Sequence, residues 1–97
     1  MSYFCKSDWK IQAFHKSLKE AKKYAVVLEH RYLTKTKTLY FGATGYQQYR
    51  DSTPLGLYSH LDHLDEERLR RYIARHSVFL KDGYYSPGYF SMKYLWT

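Results

Sequence analysis

The segment DEERLRRYIARHS, residues 65–77, is compatible with one regular conformation. Asp65 stands where an N-cap is wanted, Glu66 and Glu67 fall in the first turn, and Arg70, Arg71, Arg75 and His76 follow toward the other end. That is the charge order a helix dipole favours, negative side chains near its positive end and positive ones near its negative end. Neither glycine nor proline interrupts it. Leu69, Ile73 and His76 recur at i, i+4 and i+7 and form a narrow apolar face. A helix this short is marginal alone, so the rest of the chain must supply something for it to pack against.

The rest reads as strand. YAVVLEHRY, from Tyr24, is rich in β-branched and aromatic residues, and TLYFGAT, residues 38–44, alternates Leu39 and Phe41 with Thr38 and Tyr40. Between them LTKTK is polar and lysine-rich, as an exposed hairpin loop would be. Upstream, two periods compete. Ile11, Phe14, Leu18, Ala21, Ala25 and Leu28 make a helical stripe, while Trp9, Ile11 and Ala13 alternate with Lys10 and Gln12 as a strand would. Gly42 and Gly45 mark a bend or a close approach, and YQQYRDSTPLGL, residues 46–57, sustains neither period and reads as an ordered loop. At the C-terminus, Phe90, Tyr94, Leu95 and Trp96 are too apolar to dangle. They are expected to dock on the core as a turn or two of helix opened by Ser86 and Pro87.

These elements predict an α+β fold. A small antiparallel sheet of residues 9–16, 23–31 and 38–43 carries the Asp65 helix and the aromatic C-terminal segment over one face. A chain of 97 residues has room for one core, so residues 1–97 form a single compact domain, with residues 1–8 expected to be flexible. With 44% hydrophobic residues and 12 tyrosines the chain is too apolar for a disordered basic tail.

Charge is unevenly placed. Residues 1–40 hold nine basic and three acidic side chains (+6) and residues 41–97 hold seven and six (+1), which together give the net +7. A domain of this kind attracts polyanions without any base-reading motif. The single cysteine, Cys5, cannot close an internal disulfide. The opening MSYFCKSDWK lacks the apolar core of a signal peptide, and no apolar run suggests a membrane span. A soluble, intracellular protein is expected, not secreted and not membrane-bound.

The succession FGATGYQQY, YSHLDH, DEERLRRYIARH and SPGYFSMKYLW resembles a family of small uncharacterised proteins of large double-stranded DNA viruses of eukaryotes, with similar domains in some tailed phages. The resemblance spans residues 22–97, beginning at the KKY of Lys22 to Tyr24. Its pattern residues include Gly42, His63, Asp65, Arg68, Tyr72, Arg75, His76, Pro87 and Trp96. The family has no assigned activity. The resemblance implies a viral origin, hence a virion or infected-cell cytoplasm or nucleus as location, and it supports the hairpin of residues 22–43. The KSLKEAKKY run departs from the pattern by being helix-friendly, which leaves residues 8–22 open.

Four chemistries compete for the polar stretch. His60, Asp62, His63, Asp65 and His76 are metal-ligand types, but His76 lies about three helical turns, ~20 Å, beyond His60 and His63 and cannot share their ion. General acid–base or nuclease chemistry lacks a second element, with no phosphate loop, nucleophile elbow or paired-carboxylate site. The expectation is therefore a non-catalytic protein without metal or other cofactor.

A structural reading makes Asp65, Arg68, Tyr72 and Arg75, at spacings of three, four and three, one face of a polar network. A nucleic-acid reading gives that face to phosphates. Arg68, Arg70, Arg71 and Arg75 would neutralise them, Tyr46 and Tyr49 would stack or brace, and Lys22, Lys23, Lys35 and Lys37 would add a sequence-independent grip. Sequence-nonspecific binding of DNA or RNA is the leading expectation. The alternative is an interaction module or minor virion component that binds other virion proteins through Trp9, Tyr84, Tyr85, Tyr89 and Tyr94.

Overall fold

The computed structural model describes residues 4–78 and 83–97. Among the described residues, five strands and two α-helices follow along the chain as β1 (Phe4–Cys5), β2 (Trp9–Lys16), β3 (Lys22–His30), β4 (Thr36–Ala43), α1 (Glu66–His76), β5 (Tyr84–Tyr85) and α2 (Pro87–Leu95), with a 3-10 turn at Ser59–Leu61. The α+β architecture expected from the sequence is the one observed, and the sheet β2-β3-β4 is antiparallel throughout.

The contest between helix and strand over residues 9–28 resolves as strand. In β3, Tyr24, Val26 and Leu28 are fully buried at a period of two, and Phe14 pairs with Val26 while Tyr24 pairs with Phe41. Two members of the rival helical stripe fall in the β2–β3 turn instead. Leu18 is 99% exposed, and Ala21 closes the turn at φ 68°. Ser17 organises that turn by accepting a hydrogen bond from the Lys19 amide at 2.9 Å. The apolar spacing there was coincidental with a hairpin whose irregularity lies between Ile11 and Ala13, where the register shifts.

The C-terminal segment docks as expected, as a helix of nine residues. The Ser86 hydroxyl accepts from the Tyr89 amide at 3.1 Å, Pro87 occupies the first turn, and Phe90, Met92 and Leu95 are buried. Phe90 packs against Phe41 at 5.6 Å and Phe14 at 6.3 Å, so α2 and the sheet share one aromatic core.

Two expectations are corrected. Residues 4–8 are not loose: Phe4 and Cys5 pair with Tyr85 and Tyr84, the Lys6 amide donates to the Gly83 carbonyl at 3.0 Å, and Phe4 meets the Trp9 ring at 5.2 Å. Residues 1–3, the rest of the segment expected to be flexible, and residues 79–82 lie outside the described residues. The second correction concerns α1, which does not lay Leu69 and Ile73 on the sheet. It contributes no buried residue, and Ile73 is exposed. Its attachment is the Tyr72 ring, stacked on Trp96 with centroids 4.2 Å apart and planes 3° from parallel. One flat aromatic pair outweighs two aliphatic side chains because it offers more contact area in a defined geometry. Among the described residues no helix is long and apolar enough to cross a membrane.

Gly42 joins sheet and helix. Its φ is +79°, and a Cβ there would lie 3.0 Å from Leu95 Cδ1 and 3.2 Å from Lys23 Cβ. Gly42→Ala is therefore expected to cost about 1–3 kcal/mol through backbone strain and crowding, and to lower the melting temperature by roughly 5–15 °C in a thermal scan. An unchanged melting temperature would show that Leu95 and Lys23 yield without cost.

Candidate functional site

The segment between β4 and α1 has almost no ladder of its own, so side chains must satisfy its backbone. Asp51 does most of this. Its carboxylate accepts from the Tyr58 amide at 3.0 Å, the Thr53 amide at 3.0 Å, the Thr53 hydroxyl at 2.6 Å and the Tyr24 hydroxyl. Burial alone would push the Asp51 carboxyl up, but these donors together hold it below its ordinary value. Tyr24 in turn accepts from the Leu57 amide at 2.8 Å. Burial first, and the bond to Asp51 second, raise its phenol to about 12.

Lys23 forms the other half. It is only 1% exposed, and its ammonium donates to the Tyr46 carbonyl at 2.7 Å and to Gln48 Oε1. Gln48 then donates to Asp62 Oδ1 at 2.6 Å and to the Tyr58 carbonyl at 2.8 Å, and the Asp51 amide reaches the same Asp62 oxygen at 2.8 Å. Burial pulls the Lys23 pKa down against the attraction of Asp51 and Asp62. Lys23 was expected to grip phosphate from the surface. It is instead an internal cation, because the loop from Tyr46 onward covers it.

This scaffold and α1 enclose a cleft of about 560 Å³. The sheet supplies Lys22, Lys23, Gly42 and Ala43, the loop supplies Tyr46, Gln47 and Gln48, and α1 supplies Arg68, Arg71, Tyr72 and Arg75. Ser91, Leu95 and Trp96 close it. Five of these residues are cationic and none carries a carboxylate. Arg68 is steadied by Gln47 Oε1 at 3.0 Å, and Arg71 pairs with Glu67 at 3.8 Å across an exposed helical turn, an arrangement that contributes little stability. The Tyr46 ring is 70% exposed at the rim.

The other expected nucleic-acid contacts separate from this group. Arg70 lies beside Glu66, Leu69 and Ile73 in a shallow groove on another side of α1. Lys35 and Lys37 belong to the far end of the β3–β4 hairpin. Tyr49 is half-buried near Arg50 and His63 and does not line the cleft. The pattern residues act as supports. Asp65 caps α1 by accepting from the Glu67 amide at 3.0 Å and the Arg68 amide at 3.2 Å. His63 Nδ1 accepts from the Asp65 amide at 2.9 Å, and its ring lies 5.2 Å from Trp96. Burial and then Arg68 push the His63 pKa down, favouring neutral imidazole. The His76 ring packs against Tyr72 with centroids 4.4 Å apart and planes tilted by 44°. Among the described residues no three His, Cys, Asp or Glu side chains are grouped to hold a metal ion.

Most aromatics named as protein-interface anchors are used internally. Trp9, Tyr85, Tyr89 and Tyr94 pack against the core, and Lys6 sits over the Tyr89 ring at 4.0 Å. Sequence reasoning missed Gln48 and Asp51, since nothing in YQQYRDS marks which polar residues turn inward, and it named Asp62 only as a metal-ligand type, not as a member of this network. The comparisons add no name: the chain matches no family model, no curated protein and no solved structure.

Tyr24→Phe keeps the ring and deletes the hydroxyl, leaving Asp51 short of a donor and the Leu57 amide without its acceptor. The expected loss near neutral pH is about 1–3 kcal/mol in urea unfolding. In the wild type the neutral phenol, held to about 12, favours the fold. That contribution is complete below the unfolded value near ~10 and is lost as pH rises through the folded one, on the order of 2 kcal/mol in all. The variant should lack this part of the alkaline slope, and a slope equal to the wild type's would remove Tyr24 as its source.

Proposed function

We propose that this protein is a non-catalytic, sequence-nonspecific nucleic-acid-binding domain, and that the cleft between the β3–β4 sheet end and α1 holds the phosphates. The observation that carries this reading is the cleft lining, in which Lys22 and the guanidiniums of Arg68, Arg71 and Arg75 gather with no carboxylate among the described lining residues. Positive charge gathered in a concavity concentrates field lines and raises the local concentration of anions. The lining guanidiniums of Arg68, Arg71 and Arg75 present planar forks suited to phosphate oxygens. They supply charge and hydrogen bonds, not proton transfer, which supports binding over catalysis.

A viral setting, in the virion or the infected cell, belongs to the same proposal and rests on the resemblance of residues 22–97. Binding to other virion proteins is the weaker reading, because its aromatic anchors are largely spent on the core.

The test is a salt titration of labelled nucleic acid with two single variants. Arg75→Ala, in the cleft, is expected to weaken binding several-fold and reduce the slope of log K against log salt by about one. Arg70→Ala, on the other side of the same helix, should leave both nearly unchanged. Equal losses from the two variants would mean that diffuse charge, not the cleft, does the binding.

A further inference from the structure

The shape of the cleft and the placement of its aromatic groups point beyond nonspecific affinity. Arg68, Arg71 and Arg75 occupy one helix face over seven residues, a rise of ~10 Å. The recess is a half-open cleft of about 560 Å³, a volume within the range of small-ligand sites. Arg70 lies on another side of α1, and Lys37, paired with Leu28, is ~20 Å along β3 from Lys22 by strand rise, so neither belongs to the recess.

The rim carries Tyr46, its ring 70% exposed, and the wall carries Tyr72 on Trp96. An exposed ring beside a basic recess is the pairing by which bases stack while phosphates are neutralised. In a duplex both faces of an internal base are already stacked, so only an unpaired base has a face to offer.

We infer that the cleft selects single-stranded nucleic acid over duplex, seating a short run of backbone on Lys22 and the three arginines and stacking one base on Tyr46. This rests on the nucleic-acid reading above. It assigns to Tyr46 a role separable from charge.

The test compares an unstructured single strand with a blunt duplex of the same length, at equal phosphate concentration, by fluorescence anisotropy. The full chain is used as wild type, Tyr46→Leu and Arg75→Ala. The inference expects roughly tenfold tighter binding of the single strand. Tyr46→Leu keeps the carbonyl that holds Lys23, and it should abolish most of that preference while leaving the salt slope intact. Arg75→Ala should lower the slope for the single strand.

Equal binding of the two probes, with Arg75→Ala weakening both, would overturn the strand preference and leave the cleft as a phosphate site. A preference that survives Tyr46→Leu would overturn the stacking role. Absence of binding to either probe at low salt would remove the nucleic-acid reading itself.

Discussion

The fold depends on a buried chain of polar contacts from Lys23 through Gln48 and Asp62 to Asp51 and Tyr24. One ammonium and two carboxylates come together where the sheet meets a long loop. A buried charge of this kind is tolerable only when partnered, and deleting one member leaves the others stranded at several times the cost of an ordinary hydrogen bond. The network also makes the loop a defined object. Asp51 and Thr53 satisfy amides that no strand or helix could reach, and Lys23 fixes the Tyr46 carbonyl. Scaffold and cleft thus share one origin, since Tyr46 and Gln47 stand at the rim because Lys23 and Gln48 are held beneath them.

The parts of this architecture legible in the sequence are those governed by local periodicity and capping. Residues 9–16, 23–31 and 38–43 emerge from alternation and β-branched content, and β2, β3 and β4 lie there within one or two residues. Asp65 and Ser86 announce helix starts and do cap them. Lys23 shows where such reasoning stops. Alternation through Tyr24, Val26 and Leu28 sends Lys23 to the face opposite them, and a lysine on an outer face is expected in water. Only the loop folded over it, twenty-odd residues later in the chain, reverses that outcome, and no local pattern encodes the reversal.

The arginines show a related failure. Four of them in eleven residues read as one basic cluster, yet a helix distributes its residues around a cylinder, and rotation about its axis decides which belong together. That rotation is set by Tyr72 on Trp96, a contact across 24 positions that apolar counting ranks below Leu69 and Ile73. Arg68, Arg71 and Arg75 turn into the cleft because they flank Tyr72, and Arg70 is carried to another side. The i, i+3 and i+4 grouping of Asp65, Arg68, Tyr72 and Arg75 was visible beforehand. That this polar face, not the aliphatic one, would meet the protein was not.

The two walls of the cleft are consequently unequal. The sheet wall is hydrogen-bonded along β3 and β4 and stapled by the Lys23 network, whereas α1 buries no residue and is held by its Asp65 cap, the aromatic stack and one Arg68 bond to Gln47. Elements with few buried contacts open at lower free energy than the core. The guanidiniums of Arg68, Arg71 and Arg75 face Lys22 across the cleft, and their like charge works against close approach of the two walls. On the reading proposed above, an anion seated between the walls would offset that repulsion and bond to both sides, so the helix that supplies most of the charge is also the wall with the least of its own to hold it in place.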